Sequence, residues 1–190
     1  MIINSIKQIS SIILNCPNCN LSTTRLNAVP GQGNPNARIM FVGEAPGKNE
    51  DLKGIPFIGA AGKYLDSLLE LANLSREKIF ITNIVKCRPP NNRDPFPEEV
   101  DECSKYLMSQ ITLMKPKLIV TLGRHSLHHW IPEAVISQIH GSITRVDGLT
   151  ICPMYHPAAA LYRGNLRKVI EDDYVKLGKY IHSSEFGENQ

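Results

Sequence analysis

Short apolar runs recur along this 190-residue chain and alternate with segments of helical periodicity. Continuous runs at residues 39–42, 79–85 and 118–122 are typical of strands that are buried on both faces. Residues 141–154 are predicted to form two further strands, joined by a hairpin turn at Asp147-Gly148. Helical spacing of apolar residues predicts helices near 2–13, 63–72, 97–114 and 165–181, and a short one at 124–130.

Strands that alternate with helices predict an α/β protein with a mostly parallel sheet covered on both faces. The Pro- and Gly-containing segment 20–36 is predicted to be a loop, and 183–190 a frayed tail. A chain of this length suits one sizeable core. We therefore expect a single domain over 1–190, with an N-terminal helix and cysteine turn at 1–36, a core at 37–182 and the tail.

Composition and charge narrow the class of protein. Apolar residues make up 42% of the chain and charged residues 21%, which is typical of a soluble globular protein. The net charge of +3 permits an anionic partner such as nucleic acid without requiring one. No apolar run approaches the roughly 20 residues that a membrane helix needs, and the N-terminus does not resemble a signal peptide. We expect a cytoplasmic protein.

Polar side chains follow three of the predicted strands at the points where those strands end. Glu44 lies in the turn Gly43-Glu44-Ala45-Pro46-Gly47, Asn83 is near the end of the second run, and His156 follows the last strand. Ligand sites of open α/β sheets lie at the carboxyl ends of the strands. The sequence therefore predicts that Glu44, Asn83 and His156 meet in one crevice.

Four of the five cysteines form a second candidate site. Cys16 and Cys19 have the C-x2-C spacing that lets two thiolates bind one metal, and Cys87 and Cys103 flank a basic loop. Four thiolates suit either zinc or an iron–sulfur cluster, and spacing alone does not separate the two. Cys152 lies in an apolar strand and is interpreted as a buried hydrophobic residue.

The chain resembles the family 4 uracil-DNA glycosylases, the iron–sulfur branch of their superfamily, and is most similar to archaeal members. Four features carry the resemblance: the 43–47 turn, the four cysteines, the stretch 81–90 (ITNIVKCRPP) and the stretch 156–161 (HPAAAL). The resemblance implies a three-layer α/β/α sandwich around a four-stranded parallel sheet. It also implies a [4Fe–4S] cluster held by Cys16, Cys19, Cys87 and Cys103, with a scaffolding role.

The implied reaction is hydrolysis of the bond between uracil and deoxyribose in DNA, which leaves an abasic site. An enzyme that acts on a base must first flip it into a pocket. Phe57 matches the family's stacking residue, Asn83 reads the uracil edge, and His156 stabilises the charge that gathers on O2 of the leaving base. Glu44 positions the attacking water, in place of an aspartate that another branch has at Ala45.

The remaining expectations concern specificity and DNA. Glu50 resembles the residue that excludes thymine, Leu161 is placed to wedge into the duplex, and Arg163 to contact a phosphate. The cluster would hold Arg88 and Arg93 against DNA phosphates. Single- or double-stranded uracil-containing DNA is the expected partner of a monomeric protein, and no clear sliding-clamp motif is present.

Three alternative functions are compatible with some of these residues. One is a non-catalytic iron–sulfur module that binds uracil in DNA without cutting. A second is the branch that captures deoxyribose covalently through a loop histidine; residues 88–102 contain no histidine, which argues against it. The third is a glycosylase of wider base range that also acts on hypoxanthine or xanthine, because pocket shape decides that range.

Overall fold

A six-stranded sheet forms the centre of the computed structural model, which describes residues 4–188. Its strands are β1 (Gln32–Gly33), β2 (Ile39–Gly43), β3 (Phe80–Asn83), β4 (Leu118–Leu122), β5 (Thr144–Val146) and β6 (Leu149–Met154). Their order across the sheet is β1-β3-β2-β4-β6-β5. The four central strands are parallel, as expected, and the strands at the two edges run antiparallel to their neighbours.

In the described part of the chain, two helices precede the first strand, five connect strands, and three follow the last strand. They are α1 (Ile6–Leu14), α2 (Leu21–Thr24), α3 (Lys48–Lys53), α4 (Ala60–Leu71), α5 (Pro97–Met114), α6 (Arg124–His128), α7 (Ile136–Ile139), α8 (Ala158–Tyr162), α9 (Arg167–Ile181) and α10 (Ser184–Glu188). Between residues 4 and 188, none of them has the length and apolar character needed to cross a bilayer.

The central strands bury both of their faces, which explains their continuous apolar runs. Successive side chains of a strand point to opposite faces, so Phe41 packs into one core cluster while Met40 and Val42 pack into another. Helices α4 and α9 contact each other, as do α1 and α5. Residues of α4 and α9 belong to the first cluster and residues of α1 and α5 to the second. The protein therefore has the expected three-layer α/β/α architecture.

The sheet contains the four parallel strands that the resemblance implied and is wider by one antiparallel strand at each edge. The hairpin at Asp147-Gly148 was predicted, and it supplies β5 as an antiparallel edge strand. The other edge strand, β1, lies in the segment 20–36, which was predicted to be loop and also contains α2. In β1, Gln32 and Gly33 pair with Ile81 and Phe80. Two residues are too few to show a period-2 pattern, so the sequence carried no signal for this strand.

The C-terminal segment packs against the rest of the protein over the residues that the structure describes. Phe186 in α10 is buried, and the Arg38 guanidinium lies 4.5 Å from the centre of its ring. Arg38 Nη2 also donates a hydrogen bond to the Phe186 carbonyl at 2.8 Å. The prediction of a frayed tail is therefore wrong for Ser184–Glu188, whereas residues 189–190 lie outside the described part.

Candidate active site

Strand register brings the three predicted polar residues to one end of the sheet. Gly43 at the end of β2 pairs with Asn83 at the end of β3, and Leu122 at the end of β4 pairs with Met154 of β6. His156 follows two residues after β6. A methyl group at Gly123 would lie 3.1 Å from the His156 Cβ, so the chain after β4 passes directly beside this histidine.

A cavity of about 390 Å³ opens at this end of the sheet, within the size range of small-molecule sites. It is lined by Ala45, Gly47, Glu50, Phe57, Ala61, Asn83, Asn92, His156 and Ala158. The resemblance implies six uracil-binding residues, and five of them line this cavity: Ala45, Glu50, Phe57, Asn83 and His156. The sixth, Glu44, lines an adjoining cavity of about 180 Å³ that shares Ala45, Gly47, Asn92 and His156 with the first.

Asn83 presents a buried amide to this cavity. The residue is 1% exposed, and its side-chain oxygen has no hydrogen-bond partner among residues 4–188. Burial of an oxygen atom without a hydrogen-bond donor costs free energy. A ligand that donates a hydrogen bond into the cavity would supply the missing partner. A side chain at Gly43 would overlap this oxygen and would come within 2.7 Å of the Phe57 ring. Glycine at position 43 thus leaves room for both groups.

His156 is neutral and its tautomer is fixed by the main chain. Burial lowers the pKa of His156 to about 4, although the Glu50 charge acts in the opposite direction. The Ala158 N–H donates a hydrogen bond to Nδ1 at 3.1 Å. Nδ1 is therefore the acceptor, and the proton of the neutral ring lies on Nε2. This nitrogen is the donor that the imidazole has available for a ligand.

Phe57 contributes an aromatic face in an unusual backbone conformation. Its φ is +53°, uncommon for a large side chain. Arg76 donates hydrogen bonds to the Phe57 and Pro56 carbonyls and forms a 2.6 Å ion pair with Asp66. The Phe57 ring centre lies 5.6 Å from that of His156. Contacts to the main chain therefore hold the ring beside the imidazole.

Glu50 forms part of the cavity wall in a fixed orientation. Its Oε1 accepts hydrogen bonds from the N–H groups of Ile58 and Gly59, each at 2.8 Å. These donors lie at the start of α4, where the helix dipole favours a negative charge. The carboxylate is thus an immobile part of the cavity rather than a mobile surface group.

Glu44 has a strongly perturbed carboxyl group. Burial raises the pKa of Glu44 from 4.5 to about 7, the Asp94 charge adds to this, and Arg124 opposes it. Its Oε2 lies 3.8 Å from His125 Nε2, which is 3.3 Å from Asp94 Oδ2. These three groups could surround a metal ion, but Arg124 Nε donates to the same His125 nitrogen at 3.0 Å. The nitrogen's lone pair is therefore already used.

The four predicted cysteines line a single cavity on the side of the sheet that α1 and α5 cover. Cys16 and Cys19 follow α1, Cys87 follows β3 and Cys103 lies in α5. Cys152 is buried in the opposite core cluster, which agrees with its interpretation as an apolar residue.

The surroundings of these sulfurs fit metal-bound thiolates. Arg25 Nη1 donates to Cys87 Sγ at 3.0 Å, and the Lys86 main-chain N–H donates to Cys103 Sγ at 3.1 Å. Hydrogen bonds to the sulfurs are typical of iron–sulfur sites. The donor set therefore fits a four-cysteine metal centre.

The basic residues expected to contact DNA have different surroundings. Arg163 and Leu161 are exposed at the end of α8, and Leu161 is 50% exposed. Arg88 donates to Asn92 Oδ1 at 2.7 Å. Arg93 instead forms two hydrogen bonds, of 2.7 and 2.8 Å, to the buried carboxylate of Glu99.

Arg93 also lies 3.7 Å from the centre of the Phe96 ring. Its charge is therefore already paired within the protein, and the structure gives no support to its expected role as a phosphate contact. The pairing holds the loop after Cys87 against the start of α5, where Glu99 also accepts a hydrogen bond from the Phe96 N–H.

Three residues near the site were not singled out from the sequence. Asn92 lines both cavities, Tyr162 is 87% exposed beside Leu161, and Lys86 is almost completely buried between the cysteines and Asn83. Burial lowers the pKa of Lys86, while the sulfurs of Cys103 and Cys87 act in the opposite direction and favour the charged form. Its position directly before Cys87 was the sequence feature that could have indicated a role for Lys86 at the site.

Comparison with known proteins agrees with this geometry. The family model described as the uracil DNA glycosylase superfamily matches residues 30–176. The type-4 uracil-DNA glycosylase of Sulfurisphaera tokodaii is 49% identical, covering 92% of this chain and 84% of the relative. Those of Archaeoglobus fulgidus and Thermotoga maritima are 46% and 40% identical, covering 92% and 91% of this chain and 92% and 93% of the relatives. The chain therefore belongs to the type-4 family of the uracil-DNA glycosylase superfamily.

Proposed function

We propose that this protein is a uracil-DNA glycosylase that hydrolyses the N-glycosidic bond of a flipped-out deoxyuridine. The observation that carries the proposal is the shared cavity of Asn83 and His156. One residue offers a buried acceptor that has no partner within the described part of the chain, and the other a neutral N–H donor. Family membership supports the same reaction. The products are free uracil and an abasic site in DNA.

Recognition of uracil is assigned to Asn83 and Phe57. An asparagine amide both donates and accepts, so it pairs with the N3–H and O4 of uracil. Cytosine has an amino group at position 4 and presents the opposite pattern. The Phe57 ring supplies a flat surface on which the extruded base stacks. Ala45 and the immobile Glu50 complete the wall, and Glu50 restricts the space available to a 5-methyl group.

Departure of uracil is assisted by His156. As the glycosidic bond breaks, its electron pair passes to the base, and negative charge gathers on O2. The hydrogen bond from His156 Nε2–H then becomes charge-assisted and stronger than in the ground state. A neutral imidazole with pKa of about 4 keeps this donor throughout the physiological pH range.

Activation of the attacking water is assigned to Glu44. The sugar becomes cation-like as uracil leaves, and water attacks C1′ with loss of a proton. A carboxylate with pKa of about 7 is suited to accept that proton near neutral pH. Its separate cavity, which adjoins the base pocket at His156, supports a role beside the sugar rather than on the base.

Contacts to the DNA strand are assigned to exposed residues around the cavity. Leu161 wedges into the space left by the flipped nucleotide, and its 50% exposure supports this role. Arg163 and Arg88 contact phosphates, which position the strand without reading sequence. Since the flipped nucleotide is the recognised unit, both single- and double-stranded DNA are expected substrates.

Cys16, Cys19, Cys87 and Cys103 are assigned to a [4Fe–4S] cluster, with zinc as the less favoured alternative. The family resemblance and the donor set of four sulfurs support the assignment. When bound, the metal centre would link the N-terminal helix to β3 and α5 and so stabilise the fold. Its role is structural, and the residues above carry out the reaction.

The test of the proposed function is incubation with an end-labelled oligonucleotide that carries one uracil, followed by alkali. Strand cleavage at uracil, with release of free base, is the expected result. Matched oligonucleotides with thymine, cytosine or hypoxanthine at the same position measure the base range. Tight binding of the uracil oligonucleotide without release of uracil would overturn the proposal and indicate a binding module instead.

A further inference from the structure

Lys86 is almost completely buried, and its ammonium group contacts three oxygen atoms. The residue is 1% exposed, which is rare for lysine unless its charge is paired. Its Nζ lies 2.7 Å from Thr82 Oγ1, 2.6 Å from the Asn83 carbonyl oxygen and 2.8 Å from Gln110 Oε1. An ammonium group has three N–H donors. All three are therefore matched by acceptors at short distances.

The acceptors are themselves fixed by a second layer of hydrogen bonds. Thr82 Oγ1 donates to the Pro30 carbonyl at 2.9 Å, and Gln110 Nε2 donates to the same carbonyl at 2.7 Å. The Thr82 hydroxyl proton is thus used on Pro30, and its lone pairs face Lys86. A fully connected buried network of this kind has one favoured arrangement. It ties the end of β3 to α5 and to the loop before β1.

This network acts on the residue assigned to uracil recognition. Asn83 is the last residue of β3, and Lys86 donates a hydrogen bond to its main-chain carbonyl. Its side-chain oxygen faces the cavity and has no hydrogen-bond partner among the described residues. The orientation of the amide depends on the main chain that carries it. An error of about 1 Å in a reacting group can cost 10²-fold in rate.

The same lysine contacts the cysteine site through its main chain. The Lys86 N–H donates to Cys103 Sγ at 3.1 Å, and Cys87 is the next residue. Lys86 also lines the cysteine cavity. One residue therefore touches a sulfur with its main chain and the uracil-reading residue with its side chain.

We propose that Lys86 is a positioning residue for base excision, which fixes the main chain of Asn83 and makes base recognition depend on the cysteine site. The inference rests on the proposed function. Lys86 does not touch the base, and it acts only through Asn83. A metal centre held by the cysteines would then help to fix the uracil pocket without taking part in the reaction, because the main chain of Lys86 contacts Cys103 and its side chain contacts Asn83.

The test is a double-mutant cycle between Lys86→Met and Asn83→Ala, read as single-turnover release of uracil from single-stranded DNA. Lys86→Met removes the ammonium group and keeps most of the volume. We expect it to slow release about 100-fold, with unchanged affinity for a uracil-free oligonucleotide. In the Asn83→Ala background the same change should have little further effect, because residues that act as a unit are non-additive. Lys105→Met, an exposed lysine of α5, is the matched control.

A structural measurement accompanies the kinetics. Hydrogen exchange of the peptide over 81–85 should increase in Lys86→Met, while iron content and visible absorption measure retention of the metal centre. If Lys86→Met fails to fold, Thr82→Val and Gln110→Met each remove one acceptor, and the same cycle is carried out with them. Additive effects in the cycle, or normal release by the variants, would overturn the inference. A wild-type protein that releases no uracil would instead overturn the proposed function.

Discussion

The main-chain N–H of Ala158 donates a hydrogen bond to Nδ1 of His156 at 3.1 Å, and this contact decides which imidazole nitrogen can serve the base. Because Nδ1 is the acceptor, Nε2 carries the proton. The arrangement does not depend on the side chain at position 158, unless it is proline, since the donor is a main-chain N–H. The structure thus supplies a neutral, oriented donor without a second catalytic side chain.

Replacement of His156 by alanine tests this arrangement. Loss of one preorganised donor to a developing oxyanion typically costs about 10²–10³ in rate. His156→Ala should therefore slow single-turnover release of uracil by that factor, while affinity for uracil-containing DNA changes little. His182→Ala, a change at an exposed histidine after α9, should be without effect. Release by His156→Ala at the wild-type rate would show that the imidazole does not contact the leaving base.

The raised pKa of Glu44 predicts a pH dependence. The pKa of about 7 means that the carboxylate forms as the pH rises through 7 and is lost below it. If this form serves the water, kcat/KM, which reports groups of the free enzyme, should increase with pH up to about 7 and then level off.

The His156 group contributes no transition between pH 5 and 9, because its pKa is about 4. Glu44→Gln should be slow and independent of pH across this range, whereas Glu70→Gln, at an exposed position of α4, should retain the wild-type profile. If Glu44→Gln kept the wild-type pH profile of kcat/KM, the titrating group that acts on the attacking water would be a residue other than Glu44.

The four-cysteine site predicts that the protein is coloured and that only replacement of a ligand cysteine removes the colour. The purified protein should be brown and contain iron. Cys103→Ala should bleach it and lower its solubility and unfolding temperature, since metal binding is coupled to folding. Cys152→Ala removes a buried thiol on the opposite side of the sheet and should keep the colour. A colourless protein with stoichiometric zinc would contradict the iron–sulfur assignment, and bleaching by Cys152→Ala would contradict the choice of the four ligands.

Arg88 and Arg93 should behave differently although both lie in the loop after Cys87. Arg93 is paired with buried Glu99, so Arg93→Ala leaves a carboxylate without its partner and should lower the unfolding temperature. Arg88→Ala should instead weaken DNA binding equally for all sequences and reduce the slope of log affinity against log salt by about 1. A normal salt slope for Arg88→Ala and a reduced one for Arg93→Ala would reverse the two assignments.

The sequence predicted those parts of the site that depend on strand ends. Asn83 and His156 could be located because buried parallel strands give strong apolar runs, and a polar residue near or just after the end of a run marks the sheet edge. Cys16 and Cys19 were equally accessible, because C-x2-C is a local pattern, whereas Cys87 and Cys103 were added because they flank the basic loop. The family resemblance added Phe57 and Glu50, for which the strand pattern gave no indication.

Features that depend on contacts distant in the sequence were not predictable in this way. Phe186 is buried by Arg38, which lies 148 positions earlier in the chain. Arg93 carries a positive charge in a basic loop, and only the fold shows that Glu99 has already neutralised it. Lys86 would be expected at the surface, since a lysine is buried only where acceptors surround it, and its acceptors come from two separate segments, β3 and α5.

The left-handed backbone of Phe57 affects how the protein would receive a flipped base. Such a conformation costs about 1–3 kcal/mol and persists only where neighbouring groups impose it, here the hydrogen bonds from Arg76 and the absence of a side chain at Gly62, which would overlap the Phe57 carbonyl. The aromatic surface is therefore in place before any nucleotide arrives. Under the proposed function, an extruded base therefore meets a stacking surface that needs no rearrangement of the Phe57 main chain.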